Sequence, residues 1–303
     1  MNVIEVENLK KSFHEKEVLH NLSMIVQKGD IFGFLGPNGS GKTTTLRILL
    51  GLLAADGGKV RVLDTEVDMQ TSDLRQRINM LPESHGLYGW MRTDEYLSYF
   101  ADLYGHSLDK HKVKTLLELV GLSPDDHRPI QNFSRGMKQR LGIARTLVND
   151  PEIIFLDEPT NGLDPKGRRD IHALLKRLNK ERQMTIILST HILDDVEHLC
   201  NRIGILHQGR LQYQGTLQGN GGDTSANHHF CLPREIKENI FTKLADEHFI
   251  SPENGLIRVT LEDAGPDETV TSRMLLQTIP VTDFINKEND LEDLYLRYTG
   301  GTV

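Results

Sequence analysis

Gly36-Pro37-Asn38-Gly39-Ser40-Gly41-Lys42-Thr43 decides how this chain folds. The pattern G-x-x-x-x-G-K-[ST] is a phosphate-binding loop, whose glycines let successive backbone N–H groups close around phosphate oxygens with no Cβ in the way. Ile31-Phe32-Gly33-Phe34-Leu35, just before it, is a short apolar run that reads as a buried strand. Thr44-Thr45-Leu46-Arg47-Ile48-Leu49-Leu50, just after it, reads as a helix. The helix N-terminus turns its orphan N–H groups and positive dipole end toward the same phosphates. Gly36, Asn38, Gly39, Ser40, Gly41 and Thr44 then form the cradle. Lys42 is a point charge for the β- and γ-phosphates, and Thr43 offers a hydroxyl to Mg²⁺. A nucleoside triphosphate is implied, with kinase, GTPase and ATPase still open.

Downstream residues narrow that choice. Ile153-Ile154-Phe155-Leu156-Asp157-Glu158 is an apolar run ending in two carboxylates. A central parallel strand buried on both faces has this composition. Ligands of open α/β sheets bind at the carboxyl ends of the strands, which puts the two acids beside the phosphate loop. Asp157 reads as a partner of Mg²⁺ through water. Glu158 points to the other side, where it can orient or deprotonate the attacking water. A polar turn, Pro159-Thr160-Asn161-Gly162-Leu163-Asp164, follows. A second apolar run, Thr185-Ile186-Ile187-Leu188-Ser189-Thr190, ends at His191, which can bond a γ-phosphate and sense its presence.

Phe133-Ser134-Arg135-Gly136-Met137 stands ahead of an amphipathic helix expected over residues 135–148, with Ser134 as its N-cap. With this stretch the chain resembles the ATP-binding cassette (ABC) family, whose signature is usually written LSGGQ. The resemblance covers roughly residues 3–217, with every motif in order. It implies a P-loop NTPase fold of the ABC-cassette type, α/β with a mostly parallel core sheet and a helical insertion. It also implies an ATPase using ATP and Mg²⁺, and two cassettes paired head to tail. Ser134 and the Gly136 N–H then serve the ATP held by the partner copy.

The chain departs from the family pattern in the signature, where Arg135-Gly136-Met137 stands for Gly-Gly-Gln, and at residue 83. Arg135 replaces the first signature glycine, which helical backbone angles tolerate and which adds positive charge near the phosphates. Glu83, in Met80-Leu81-Pro82-Glu83, stands where the family has a glutamine that reaches a metal-bound water. Its plainer reading is an exposed loop carboxylate. Together these departures resemble the subfamily of exporters handling drugs, antibiotics or sodium. Phe13 matches the family's place for an aromatic under adenine, where base stacking contributes about 1–3 kcal/mol. The alternative for Phe13 is core packing.

The bulk properties agree with a soluble, two-domain protein. The chain has 303 residues, enough for more than one domain, and its 26% charged residues are ordinary for a globular protein. No run approaches the roughly 18 apolar residues of a membrane span, and residues 1–7 lack the basic and apolar regions of a signal peptide. Cys200 and Cys231 are far apart and lack metal or disulfide spacing, so they read as reduced thiols in the cytoplasm. The net charge of −8 argues against a nucleic-acid partner.

The expected organisation is an ATP-binding domain over 1–218, with a helical subdomain at about 84–151. A linker over 219–227 and a small α+β accessory domain over 228–303 follow. In the accessory domain, strands are expected at 230–232, 256–261 and 281–285, and helices at 235–248, 272–277 and near 290–300. A cassette with no membrane span needs a separate transmembrane permease, which places it peripherally on the inner face of the cell membrane. Family resemblance puts the permease contact near residues 83–100. There Gly86-Leu87-Tyr88-Gly89-Trp90-Met91 reads either as an exposed partner patch or as a loop tucked onto its own domain. The rival function is a soluble, non-transport ABC ATPase acting on ribosomes or DNA. Such proteins carry paired cassettes or a long coiled coil, and this chain has neither.

Overall fold

The computed structural model describes residues 1–217 except 15, 70 and 85, then the segments 229–232, 249–253, 256–260, 285–286 and 291–299. The expected linker and the helices expected at 235–248 and 272–277 lie outside these residues. Two compact units are present. One is Met1–Gly219 with Tyr295–Val303, and the other is Asn220–Leu294.

The first unit opens with two long strands, β1 (Asn2–Phe13) and β2 (Lys16–Gln27), followed by β3 (Ile31–Leu35) and α1 (Lys42–Leu49). Next come β4 (Gly57–Val62), β5 (Thr65–Glu66), α2 (Ser72–Arg77) and β6 (Ile78–Leu81). The insertion carries α3 (Thr93–Leu103), α4 (Lys110–Leu119) and α5 (Arg135–Thr146). The core resumes with β7 (Ile153–Asp157), α6 (Pro165–Arg182), β8 (Thr185–Thr190) and α7 (Leu193–Leu199). The hairpin β9 (Arg202–His207) and β10 (Arg210–Thr216) closes it, as the turn at His207-Gln208-Gly209-Arg210 predicts.

Two sheets make up this unit. The antiparallel sheet has the order β2-β1-β4-β5. The larger sheet has the order β10-β9-β3-β8-β7-β6, parallel except for β10. Every residue of β3, β7 and β8 is buried, which is why each carries a continuous apolar run rather than an alternating pattern, with polar residues only at the ends of β7 and β8. One apolar cluster joins Phe32 and Phe34 of β3, Phe155 of β7 and Ile187 of β8 to Leu46 and Leu49 of α1 and to Ile4, Val6 and Met24 of the antiparallel sheet. Helix α1 is thereby fixed between the sheets, and its N-terminus cannot drift from the strand ends.

The second unit contains an antiparallel sheet of order β12-β13-β11-β14, with β11 at His229–Leu232, β12 at Phe249–Glu253, β13 at Leu256–Thr260 and β14 at Ile285–Asn286. Strand β12 was not expected, because Pro252 interrupts its pattern, and proline is tolerated there because β12 is an edge strand. The last described element is α8 (Leu291–Thr299). Its final turn belongs to the first unit, where the Tyr298 ring lies 5.6 Å from that of Tyr213 on β10.

Candidate functional site

The phosphate loop is a turn between two buried elements. Gly41 sits at φ +110° as the N-cap of α1, and no side chain caps that helix. Its first N–H groups therefore have no intrahelical acceptor and face the loop. A side chain at Gly41 would also put its Cβ 2.6 Å from Leu19 Cδ2. Lys42 is buried and curls back so that its Nζ donates to the carbonyls of Gly36 (2.6 Å) and Pro37 (3.3 Å). Burial pulls the Lys42 pKa below its ordinary value, opposed by the charges of Glu158, Asp157 and Glu83. The Ser40 hydroxyl is buried, with no hydrogen-bond partner among the described residues. A buried cation with orphan N–H groups around it fits a polyanion such as a triphosphate.

The cavity over this loop has a volume of about 400 Å³. Asn38, Gly39, Gly41, Lys42, Thr43 and Thr44 form its floor, and Glu83, Glu158 and His191 form one wall. Phe13, Lys16 and Val18 also line the cavity. Phe13 is 45% exposed, which rules out the core-packing alternative, and Lys11 Nζ lies over its ring, 5.5 Å from the centroid. A larger cleft of about 760 Å³ adjoins it and is also lined by Thr43, Glu83, Asp157 and Glu158.

Strand β7 delivers the two acids to opposite tasks. The Asp157 carboxylate accepts from Thr43 Oγ1 (2.9 and 3.2 Å) and from the Ser189 hydroxyl. Thr43, Asp157 and Glu83 offer only oxygen donors, the set a hard divalent ion such as Mg²⁺ takes. The Glu158 carboxylate is 8% exposed and lies 3.7 Å from Lys42 Nζ and 2.9 Å from His191 Nδ1. Its backbone has φ +51°, a left-handed conformation that costs a side-chain-bearing residue on the order of 1 kcal/mol. Hydrogen bonds from its N–H to the Ser189 carbonyl (3.0 Å) and hydroxyl (3.3 Å) hold it there. Strain of this kind, retained by neighbouring bonds, accompanies functional placement.

Ser134 and Gly136 do not line the cavity over the phosphate loop. Ser134 caps α5, accepting from the Met137 N–H at 3.3 Å, and is exposed. A Cβ at Gly136 would meet nothing within 4 Å. Arg135 lines the larger cleft together with Thr43, Glu83, Asp157 and Glu158. Its guanidinium donates to the Asn161 carbonyl (2.7 Å) and lies where any side chain at Gly162 would stand. Asn161 Nδ2 in turn donates to Glu83 Oε1 (3.3 Å), so Glu83 is exposed yet tied to the turn after Glu158. Residue spacing gave no hint of this Glu83–Asn161–Arg135 linkage, because its members lie on three separate segments. In the Gly86–Met91 loop, Tyr88 packs on Tyr96, Tyr99 and Phe100, whereas Trp90 is 71% exposed.

A family model described as "ABC transporter" matches residues 19–161. The linearmycin resistance ATP-binding protein LnrL of Bacillus subtilis (strain 168) is 33% identical, with 99% of each chain covered. The bacitracin transport ATP-binding protein BcrA of Bacillus licheniformis is 34% identical, over 99% of this chain and 98% of the relative. Among solved structures, the dimeric post-hydrolysis state of the cassette MJ0796 bound to ADP and Pi superposes with a TM-score of 0.64 at 26% identity, covering 72% of this chain and all of that one. This chain belongs to the ABC transporter family, as one of its ATP-binding subunits and an ATPase.

Proposed function

We propose that this protein is the motor subunit of an ABC exporter, closing on a second copy of itself around ATP and driving a separate transmembrane permease. Lys42 neutralises the β- and γ-phosphates, and the N–H groups at the start of α1 bind their oxygens. Thr43, Asp157 and Glu83 would hold Mg²⁺, which supplies charge neutralisation at the phosphates. Glu158 takes the proton of the attacking water. His191 orients Glu158 through its Nδ1 and offers its other nitrogen to the γ-phosphate. Phe13 stacks on adenine. Ser134, exposed, and Gly136, half-buried, do not line the cavity over their own loop and serve the nucleotide on the partner copy.

The observation that carries the reading is Glu158: a nearly buried carboxylate, in a strained backbone conformation, held between Lys42 and His191 at the wall of the phosphate cavity. The transport and resistance relatives, and the Ser-Arg-Gly-Met signature with Glu83, support export of an antibiotic-class cargo. Among the described residues no helix is long and apolar enough to cross a membrane. A permease contributed by another chain follows from the transporter family, with the cassette peripheral on the cytoplasmic face and exposed Trp90 at the contact. Glu158→Gln tests the catalytic core. Turnover should fall by about 10²-fold or more with ATP affinity retained, and normal hydrolysis would remove Glu158 from the role.

A further inference from the structure

Behind the catalytic wall lies a buried carboxylate that the hydrolytic reading does not use. Asp195, on α7, is fully buried. Its Oδ2 accepts from the hydroxyls of Thr160 and, at 3.1 Å, Thr190. Its Oδ1 lies 2.8 Å from His172 Nε2 and 3.8 Å from Arg168 Nε, both on α6. Thr160 follows Glu158 by two residues, and Thr190 immediately precedes His191. Both threonines are buried, and Thr190 Oγ1 also accepts the Ile192 N–H at 3.0 Å, closing the turn that carries His191. One carboxylate oxygen therefore ties together the two loops whose tips meet in the Glu158–His191 hydrogen bond.

Burying a charge is costly unless every lone pair is engaged, and apolar packing would join two loops at less cost. Burial pushes the Asp195 pKa up, but the bonds from His172, Thr160 and Thr190 outweigh it and hold the group below the usual carboxylate range. Both oxygens of Asp195 are engaged, Oδ2 by two hydroxyls and Oδ1 by His172, and a carboxylate held by directional bonds specifies one geometry where an apolar contact would allow several. His172, Asp194 and Asp195 do bring ligand atoms within 4.8 Å of one another. Arg168, however, already carries positive charge to both carboxylates, 3.5 Å from Asp194, so the cluster needs no cation.

We infer that Asp195 is a positioning residue for ATP hydrolysis: through Thr160 and Thr190 it sets the separation of the Glu158 and His191 loops. The inference rests on the hydrolytic roles proposed for that pair. A misplacement of about 1 Å costs on the order of 100-fold in rate. Thr160→Val and Thr190→Val keep shape and delete the hydroxyl. Each should lower kcat by about 10- to 100-fold, with KM for ATP within about twofold. Thr160→Ser and Thr190→Ser, which restore the hydroxyl and delete the methyl, should recover most of the loss.

All four variants are measured as full-length proteins, well below the melting temperature of each. If the serine variants are slower than the valine variants, the threonines act by packing and the inference fails. Valine variants with wild-type kcat also overturn it, provided Glu158→Gln is inactive in the same assay. If Glu158→Gln turns over normally, the underlying catalytic reading is what fails. The double variant Thr160→Val/Thr190→Val gives a further check. Because both hydroxyls act on one oxygen, its loss should be well short of the product of the two single losses, and a full product would show independent roles.

Discussion

Lys42 illustrates how the site stores its affinity. Its ammonium is buried and donates to the Gly36 and Pro37 carbonyls, and burial holds its pKa below the ordinary value. Phosphate oxygens are stronger acceptors and bring compensating negative charge. Lys42→Ala should therefore abolish measurable ATP binding in a fluorescent-nucleotide titration, and retained affinity would refute the phosphate-loop role. His191→Ala should reduce turnover far more than affinity, since His191 meets Glu158 and only the γ-end of the nucleotide. Equal losses of ADP and ATP affinity would contradict that assignment. Asp195 makes a pH prediction. Its folded pKa is depressed, so its stabilisation is present above the usual carboxylate pKa and is lost as pH falls through the folded value. Asp195→Asn should flatten the acid limb of a melting-temperature-against-pH curve, and an unchanged limb would mean that the group titrates normally. The residues legible from sequence alone are those whose chemistry is set by immediate neighbours: the phosphate loop, and the acids that end an apolar run. Asp195 beside Asp194 at a helix start reads as a solvated dipole partner. Only its i,i+4 relation to buried Leu199 hints that it faces inward.

At the scale of elements, β3, β7 and β8 were legible because a sheet covered on both faces leaves apolar runs, and α5 because Ser134 marks its start, whereas α2 (Ser72–Arg77), α6 (Pro165–Arg182) and α7 (Leu193–Leu199) were not expected. Helix α5 was expected to reach residue 148 but ends at Thr146, within the uncertainty of fraying ends. Contacts between elements were not legible, since the Arg135, Asn161 and Glu83 link spans three segments with no shared periodicity. Helix α4 isolates a simple cap. Asp109 accepts the Lys112 N–H at 2.7 Å, on the insertion and outside both cavities. Asp109→Ala should cost about 1 kcal/mol in chemical denaturation and leave nucleotide affinity unchanged. A change in affinity would mean that the insertion is coupled to the phosphate loop even in the isolated chain.

The whole molecule raises the question of pairing. Ser134 stands exposed and Gly136 half-buried at the start of α5, and neither lines the cavity over its own phosphate loop; on the pairing proposed above they meet the γ-phosphate held by a second chain. A helix N-terminus with its cap exposed is suited to such a phosphate, and on the proposed pairing ATP is the glue between copies while ADP is not. Blocking hydrolysis should make that state persist. Full-length Glu158→Gln should run as a dimer in Mg²⁺-ATP and as a monomer in ADP, measured by size-exclusion chromatography with light scattering. Adding Ser134→Arg should return it to monomer, because the long side chain occupies the shared phosphate position while leaving Lys42, Thr43 and Asp157 intact for binding. If the single variant binds ATP, loses turnover and yet stays monomeric, ATP alone does not hold the two chains together, and the permease must supply the rest of the interface. If the double variant remains dimeric in ATP, the contact lies elsewhere on the surface, and the assignment of Ser134 to the partner's nucleotide is wrong.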